Sequence, residues 1–338
     1  MTIPGTAQPR IAVVTTGGTI DSVGADRLDL GAYLETGQRL APGELLASIA
    51  PELAGIADVT EAPFRRLRAH AITDADAADL VDLVTGILAR GEADGVVVTH
   101  GTNTLEETAW LLHLAVATDA PIVITGAMRP ASALSADGPL NLVNAVRVAA
   151  HPAARGLGVL VAMDDTVHGA RDVTKNNTLR VDAFASPMAG PLGRIDADGH
   201  VIITSRPARA TTLRGAYAHV DLRALQRGDV VASYQGGDGA LIDAAVALGA
   251  RGIVSAGTGD GYPTPLEVEA LERAAAAGVV ICQASRVGSG RVASTPSMVK
   301  RGWISADDIV PWKARVLLRL ALAAGERPDV IAERFAAE

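Results

Sequence analysis

The stretch GVVVTHGTNTLEETAWLLHLAVATDAPIVIT, residues 95–125, decides the fold. It opens on three consecutive valines and passes through a turn rich in Gly, Thr and Asn. Apolar residues at helical spacing follow, and the stretch closes on a second short β-branched run. Strands are expected at 95–99 and 121–125, with a helix at 105–117 between them. A strand, a crossover helix and a second strand form a β-α-β unit with parallel strands and a right-handed crossover. Unbroken Val and Ile runs of this kind belong to strands covered on both faces.

The same alternation extends in both directions. Further strands are expected at 10–16 and 158–162, and further helices at 74–89 and 140–150. The first of these helices carries Leu80, Leu83, Val84, Ile87 and Leu88 on one face, and Thr73 with Asp76 has capping-box spacing. Between 171 and 212 the pattern loosens into Gly, Pro, Thr, Asn and Asp, where only 201–204 resembles a strand. Loops and hairpins are expected there, leading into a linker near 205–218. A second series follows, with strands at 229–234, 251–256 and 279–284 and helices at 239–248, 265–277 and 312–324. The fold class is therefore α/β, with two domains that each hold a parallel-dominated sheet flanked by helices. The boundaries are 1–205 for an N-terminal domain, 206–228 for a linker and 229–338 for a smaller C-terminal domain.

Composition agrees with that scheme and excludes several functions. A chain of 338 residues, 49% apolar and 20% charged, suits two domains that each bury a core. Aromatics are only 3%, too few for a surface on which nucleic-acid bases stack. Thirty basic against thirty-eight acidic residues give a net charge of −8, which argues against phosphate-backbone binding. Cys282, the single cysteine, lies in the apolar run 278–282 and reads as a buried strand thiol. The start MTIPGTAQPR lacks an apolar signal core, and no window reaches the roughly 18 uncharged apolar residues of a membrane span. The expectation is a cytoplasmic protein with neither a membrane nor a nucleic-acid partner. Only three lysines occur, Lys175, Lys300 and Lys313, so a lysine here invites the question of what arginine could not do.

In parallel sheets, ligands bind beyond the carboxyl ends of the strands, so the residues after each apolar run carry the most weight. Three such places are densely polar. After the first strand comes TTGGTI (15–20), whose glycines let the backbone turn sharply and leave the Thr19 hydroxyl at the mouth of the sheet. A phosphate loop is disfavoured, because neither G-x-G-x-x-G nor G-x-x-x-x-G-K-[ST] is present. After 96–98 comes THGTNTLEET (99–108), where Asn103 with Glu106, or Thr104 with Glu107, has capping-box spacing. Such a helix start aims backbone N–H groups at a developing oxyanion. His100 is either a base or a structural histidine. The third place is GARDVTKNNT (169–178), in which Lys175 is a candidate to exchange a proton with a threonine hydroxyl once burial lowers its pKa.

Taken together, these words resemble the bacterial-type asparaginases and glutaminase-asparaginases. The matches are TTGGTI (15–20), THGTNTLEETA (99–109), ITGAMRP (124–130), SADGPLNL (135–142), GARDVTKNNT (169–178) and IVSAGTGDG (253–261). They stand in the family's order at similar spacing and span nearly the whole chain. The resemblance implies hydrolysis of L-asparagine to L-aspartate and ammonia, with Thr19 as the nucleophile that forms an acyl-enzyme. It implies Thr102 and Lys175 as a second catalytic pair, and Tyr33, in a lid segment, as the residue that orients Thr19. Gly101, Asn103, Ala69 and His70 occupy substrate-binding positions. It implies no metal or organic cofactor, and a homo-oligomer, dimer or tetramer, whose sites lie at subunit contacts.

The departures concern the substrate's head group. Where the family carries an aspartate for the α-ammonium group, this chain has Asn103, and the family's serine and glutamine become Ala69 and His70. The asparagine and glutamate that a neighbouring subunit lends in typical members fall near Gly236 and Ser297, with Asp238 and Asp260 as candidate replacements. Thr19, Thr102 and Lys175 are kept. Two substrate readings follow: L-asparagine held by other contacts, or another small amide, imide or related acyl compound without a free α-ammonium. The remaining alternative, a non-catalytic α/β ligand-binding protein, leaves the joint presence of TTGGTI and RDVTK without a reason.

Overall fold

The computed structural model describes residues 7–206 and 214–337. The linker expected at 206–228 therefore falls partly, over 207–213, outside the described residues. The chain divides into two compact units, Met1–Arg214 and Gly215–Glu338.

The first unit is built on strands β1 (Arg10–Thr15), β2 (Asp58–Pro63), β3 (Gly95–Thr99), β4 (Ile122–Thr125), β5 (Val159–Met163), β6 (Thr166–Gly169), β9 (Gly193–Ile195) and β10 (Val201–Ile203). The short β7 (Thr174–Lys175) and β8 (Phe184–Ala185) pair separately as an antiparallel hairpin. The eight-stranded sheet has the order β10-β9-β6-β5-β4-β3-β1-β2. Its pairings are parallel from β2 to β5 and antiparallel from β5 to β10.

Helices α1 (Glu44–Ser48), α2 (Ala50–Leu53), α3 (Asp74–Ala89), α4 (Leu105–Ala115) and α5 (Gly138–Ala150) cover this sheet. Ile11, Val13, Val97, Val123 and Leu160 form one core with Leu142, Val143 and Val146 of α5. Val96, Val98, Ile122, Ile124 and Val161 are fully buried as well, and α3 and α4 lie against β3, β4 and β5. Burial on both faces is the reason these strands show no polar alternation.

Register fixes where the chemistry sits. Thr15 pairs with Thr99, and Thr99 with Thr125, so three parallel strands end in one line. The polar words at 16–19, 100–104 and 126–129 leave the sheet side by side at its carboxyl edge, the place where open α/β sheets bind ligands. The Thr16 hydroxyl donates to Thr99 O at 2.7 Å, and His100 N–H donates to Thr125 O at 2.8 Å.

The second unit carries β11 (Gly228–Ala232), β12 (Gly252–Gly257), β13 (Val280–Ser285) and β14 (Ile304–Ser305) in that order, all parallel. Its helices are α6 (Ala240–Ala247), α7 (Pro265–Ala276), α8 (Pro296–Arg301), α9 (Pro311–Ala323) and α10 (Pro328–Ala337). Ile253 and Ile281 pack with Ile242, Ala270, Leu271 and Ala274 of α6 and α7. Cys282 lies fully buried in β13, and burial pushes its thiol pKa up.

Several elements differ from expectation. Strand β2, DVTEAP, was not foreseen, because it is a mostly exposed edge strand whose sequence carries no apolar run. Hairpin β7–β8 and strand β9 lie in the stretch where only 201–204 was expected, and α10 ends the described chain beyond the last expected helix. Thr73 and Asp76 form the capping box anticipated for α3. The box anticipated for α4 does not form: Thr104 is its N-cap residue without capping through its side chain.

Candidate active site

Thr19 opens a single 3-10 turn, Thr19–Asp21, directly after Gly17 and Gly18, whose φ values are +85° and +114°. Such angles suit glycine alone, and a β-carbon on Gly18 would come within 2.6 Å of the Gly101 α-carbon. The first and second polar words therefore pack backbone against backbone. Ser22 closes the turn, its hydroxyl donating to Gly18 O at 2.8 Å.

The Thr19 hydroxyl, itself buried, shares a 2.9 Å hydrogen bond with the Tyr33 hydroxyl. Tyr33 comes from a segment of turns ordered from within. Asp29 accepts the N–H groups of Ala25 and Ala32, and these bonds, led by that of Ala25, hold its carboxyl below the usual range. The Thr36 hydroxyl donates to Val23 O and Tyr33 O, and Val23 N–H to Gln38 O.

On the other wall, Lys175 Nζ donates to the Thr102 hydroxyl at 2.8 Å. Lys175 stands on β7, and its own N–H donates to Glu106 Oε1 at 3.0 Å. Glu106 was expected as a capping side chain. It is instead buried in the first turn of α4 and spends one carboxylate oxygen on the Lys175 backbone. Burial lowers the Lys175 pKa, and the Glu106 charge opposes that fall. The amine thus releases its proton more readily than an exposed lysine does.

His100 is not part of the wall. It is fully buried, with Nδ1 2.8 Å from Gly101 O and Nε2 3.0 Å from the Thr108 hydroxyl. A carbonyl only accepts, so Nδ1 carries the proton and Nε2 accepts from Thr108. Burial brings its pKa down to about 4, so the ring stays neutral and structural. Thr104, freed from capping, donates from its hydroxyl to Ala69 O at 2.8 Å, tying the turn Ala69–Ala71 to the second polar word.

Of the residues singled out in the sequence, Thr19, Tyr33, Ala69, His70, Gly101, Thr102, Asn103 and Lys175 line one cavity of about 120 Å³, whereas His100, Gly236, Asp238, Asp260 and Ser297 are not among its lining residues. Arg39, Arg68, Leu30, Leu34, Met128 and Leu179 share its walls and were missed. Arg68 had a signal, since it adjoins Ala69 and His70 in sequence. The others reach the cavity only through folding of the segments that carry them. Among the described residues, no group of three or more His, Cys, Asp or Glu gathers as a metal site would require. No helix of the described residues is long and apolar enough to cross a membrane.

With this geometry in hand, comparison with known proteins places the chain. Residues 10–209 match the profile described as Asparaginase, N-terminal, and residues 227–335 that of the Glutaminase/Asparaginase C-terminal domain. L-asparaginase 2 of Bacillus subtilis (strain 168) is 37% identical over 327 residues, covering 97% of this chain and 86% of that protein. A glutaminase-asparaginase of Pseudomonas fluorescens biotype A is 36% identical over 316 residues, covering 92% of this chain and 86% of its own length. The crystal structure of a probable cytoplasmic L-asparaginase from Campylobacter jejuni superposes with a TM-score of 0.91 at 37% identity, covering 98% of this chain and all of that one. Profiles that match most of the chain, and relatives at this identity over nearly its full length, show that it belongs to the asparaginase and glutaminase-asparaginase family of amidohydrolases.

Proposed function

We propose that this chain hydrolyses the side-chain amide of L-asparagine to L-aspartate and ammonia through an acyl-enzyme on Thr19. One observation carries the reading: two hydroxyls, each paired to a different ionisable partner, face the same small cavity, Thr19 with Tyr33 and Thr102 with Lys175. The Thr19 oxygen attacks the amide carbon and its proton leaves towards the polar cluster, with Tyr33 orienting the hydroxyl. Collapse of the tetrahedral adduct breaks the C–N bond, and the departing nitrogen takes up a proton to leave as ammonia. Water then attacks the threonyl ester, losing a proton to Thr102, whose hydroxyl the Lys175 amine makes easier to deprotonate; the ester C–O bond breaks, the carboxylate leaves and Thr19 regains its proton from the same cluster. Backbone N–H groups of the two glycine-bearing turns stabilise the oxyanion in this scheme. The names carried by the relatives support L-asparagine as the substrate.

A second substrate reading rests on a specific observation. Among the described residues of one chain no aspartate or glutamate lines the cavity, and Asn103 is neutral. The same machinery then serves a small amide, imide or related acyl compound that lacks an α-ammonium group. We further propose a cytoplasmic homo-oligomer whose site is completed by a second copy of the chain.

The test is ammonia release from L-asparagine by the wild-type chain and by Thr19→Ala. Loss of the nucleophile is expected to cut kcat by at least about 10³-fold with the fold intact by circular dichroism. An undiminished Thr19→Ala rate would show that another group attacks the amide.

A further inference from the structure

Resting on the amidohydrolase reading above, we infer that Asp21 is a positioning residue for Thr19. Its carboxylate, held by Arg39 and Arg66, clasps the base of the loop 24–37 to the nucleophile turn and so keeps Tyr33 on the Thr19 hydroxyl. The loop leaves and rejoins the fold through one narrow neck. Val23 N–H donates to Gln38 O at 3.0 Å and Leu40 N–H to Asp21 O at 2.8 Å, so that Ser22 and Arg39 form an antiparallel bridge. Beyond the neck, Leu30, Tyr33 and Leu34 reach the cavity. A loop whose two ends meet in this way is ordered by whatever fastens those ends.

Side chains fasten the same neck. Arg39 Nη1 lies 3.5 Å from Asp21 Oδ1 and Arg66 Nε 3.7 Å from Oδ2, while Arg66 Nη1 donates to Leu40 O at 2.7 Å. Arg66 belongs to a third segment, which Leu67 N–H ties to Thr16 O at 2.8 Å just ahead of the two glycines. The cluster also rests directly on the nucleophile turn, since a β-carbon on Gly17 would come within 2.6 Å of Arg39 Nη1. Asp21 is only 6% exposed, and burial raises its carboxyl pKa against the pull of both arginines. A carboxylate that costs free energy to bury is a poor choice for stability alone, whereas paired charges fix one geometry where apolar side chains tolerate several. Thr19 and Asp21 share one 3-10 turn and Tyr33 stands within the loop, so slack at the neck moves the two hydroxyls apart. A misplacement of about 1 Å can cost on the order of 100-fold in rate.

The experiment measures kcat for ammonia release from L-asparagine and from succinamate in Asp21→Asn, which keeps the shape of the side chain and removes its charge. With the fold intact by circular dichroism, kcat is expected to fall about 10- to 100-fold. In a Tyr33→Phe background, where no hydroxyl remains to be misplaced, adding Asp21→Asn should cost less than about 2-fold more, because the two residues act through one contact. Arg39→Met should lose activity as Asp21→Asn does, and the Asp21→Asn/Arg39→Met pair should stay as low as either single variant. Trypsin cleavage after the exposed Arg27 of the loop, followed by mass spectrometry, should run about tenfold faster in Asp21→Asn. An undiminished kcat in Asp21→Asn, a loss that multiplies with that of Tyr33→Phe, or recovery in the Asp21→Asn/Arg39→Met pair overturns the inference and leaves the amidohydrolase reading in place. Should Asp21→Asn not fold, Arg39→Met carries the same comparisons. Failure of the wild-type chain to release ammonia from either amide would instead sink the amidohydrolase reading. The clasp is then decided by trypsin alone, faster cleavage in Asp21→Asn supporting it and an unchanged rate overturning it.

Discussion

At the scale of single residues, Lys175 shows how a lysine among arginines earns its place. Arginine stays charged at every working pH, whereas an amine can be driven towards neutrality by burial. Here burial lowers the Lys175 pKa and Glu106 holds it partly up, so Glu106 sets the poise of the pair. If the neutral amine is the active form, kcat/KM rises with pH as Lys175 loses its proton, with a midpoint below that of an ordinary lysine. Glu106→Gln keeps an oxygen for the Lys175 N–H and removes the charge, so this rising limb should move to lower pH. A pH–rate profile that moves upward, or not at all, would deny Glu106 that role. The lysine was legible from composition and motif. The glutamate was not, because its partner lies 69 residues away.

At the scale of elements, local sequence rules held where all participants are local. Thr73 and Asp76 cap α3 as their spacing predicts, since both belong to the same turn. At α4 the same spacing misled: Thr104 bonds Ala69 and Glu106 bonds Lys175, so long-range partners outcompete the local box. The junction of β3 and α4 also stores a pH dependence. His100 is neutral in the folded chain with a pKa of about 4, below the unfolded value, so between about pH 6.5 and 4 the folded state binds fewer protons than the unfolded state. The stability that depends on a neutral His100 is present above about pH 6.5 and is lost as pH falls towards 4, a change of about 3 kcal/mol. Denaturant unfolding between pH 7 and pH 4 should show that loss, and His100→Asn, which retains a donor for Gly101 O, should flatten the slope. An identical slope in both proteins would assign the acid sensitivity elsewhere.

At the scale of the whole molecule, Leu30, Leu34 and Leu179 line the cavity and are nonetheless exposed, Leu179 to 74%. Apolar surface at the mouth of a site suits cover by another chain, which agrees with the proposed homo-oligomer. Light scattering coupled to size exclusion is expected to give two or four chains per particle, with activity per chain falling on dilution through dissociation. Full activity in a monomer would refute a shared site. By itself the sequence determined the α/β class, the alternation that produces the first unit's central strands, and the three polar words at their ends, because hydrophobic periodicity and turn chemistry act over a few residues. It equally determined which chemistry-bearing types are available, a threonine after two glycines and a lysine among arginines. Only the tertiary structure decided that Thr15, Thr99 and Thr125 end in register, that Glu106 serves Lys175 instead of its own helix, and that Thr102 and Lys175 meet at 2.8 Å. Those facts depend on strand order and on contacts between distant segments, which no short-range pattern encodes.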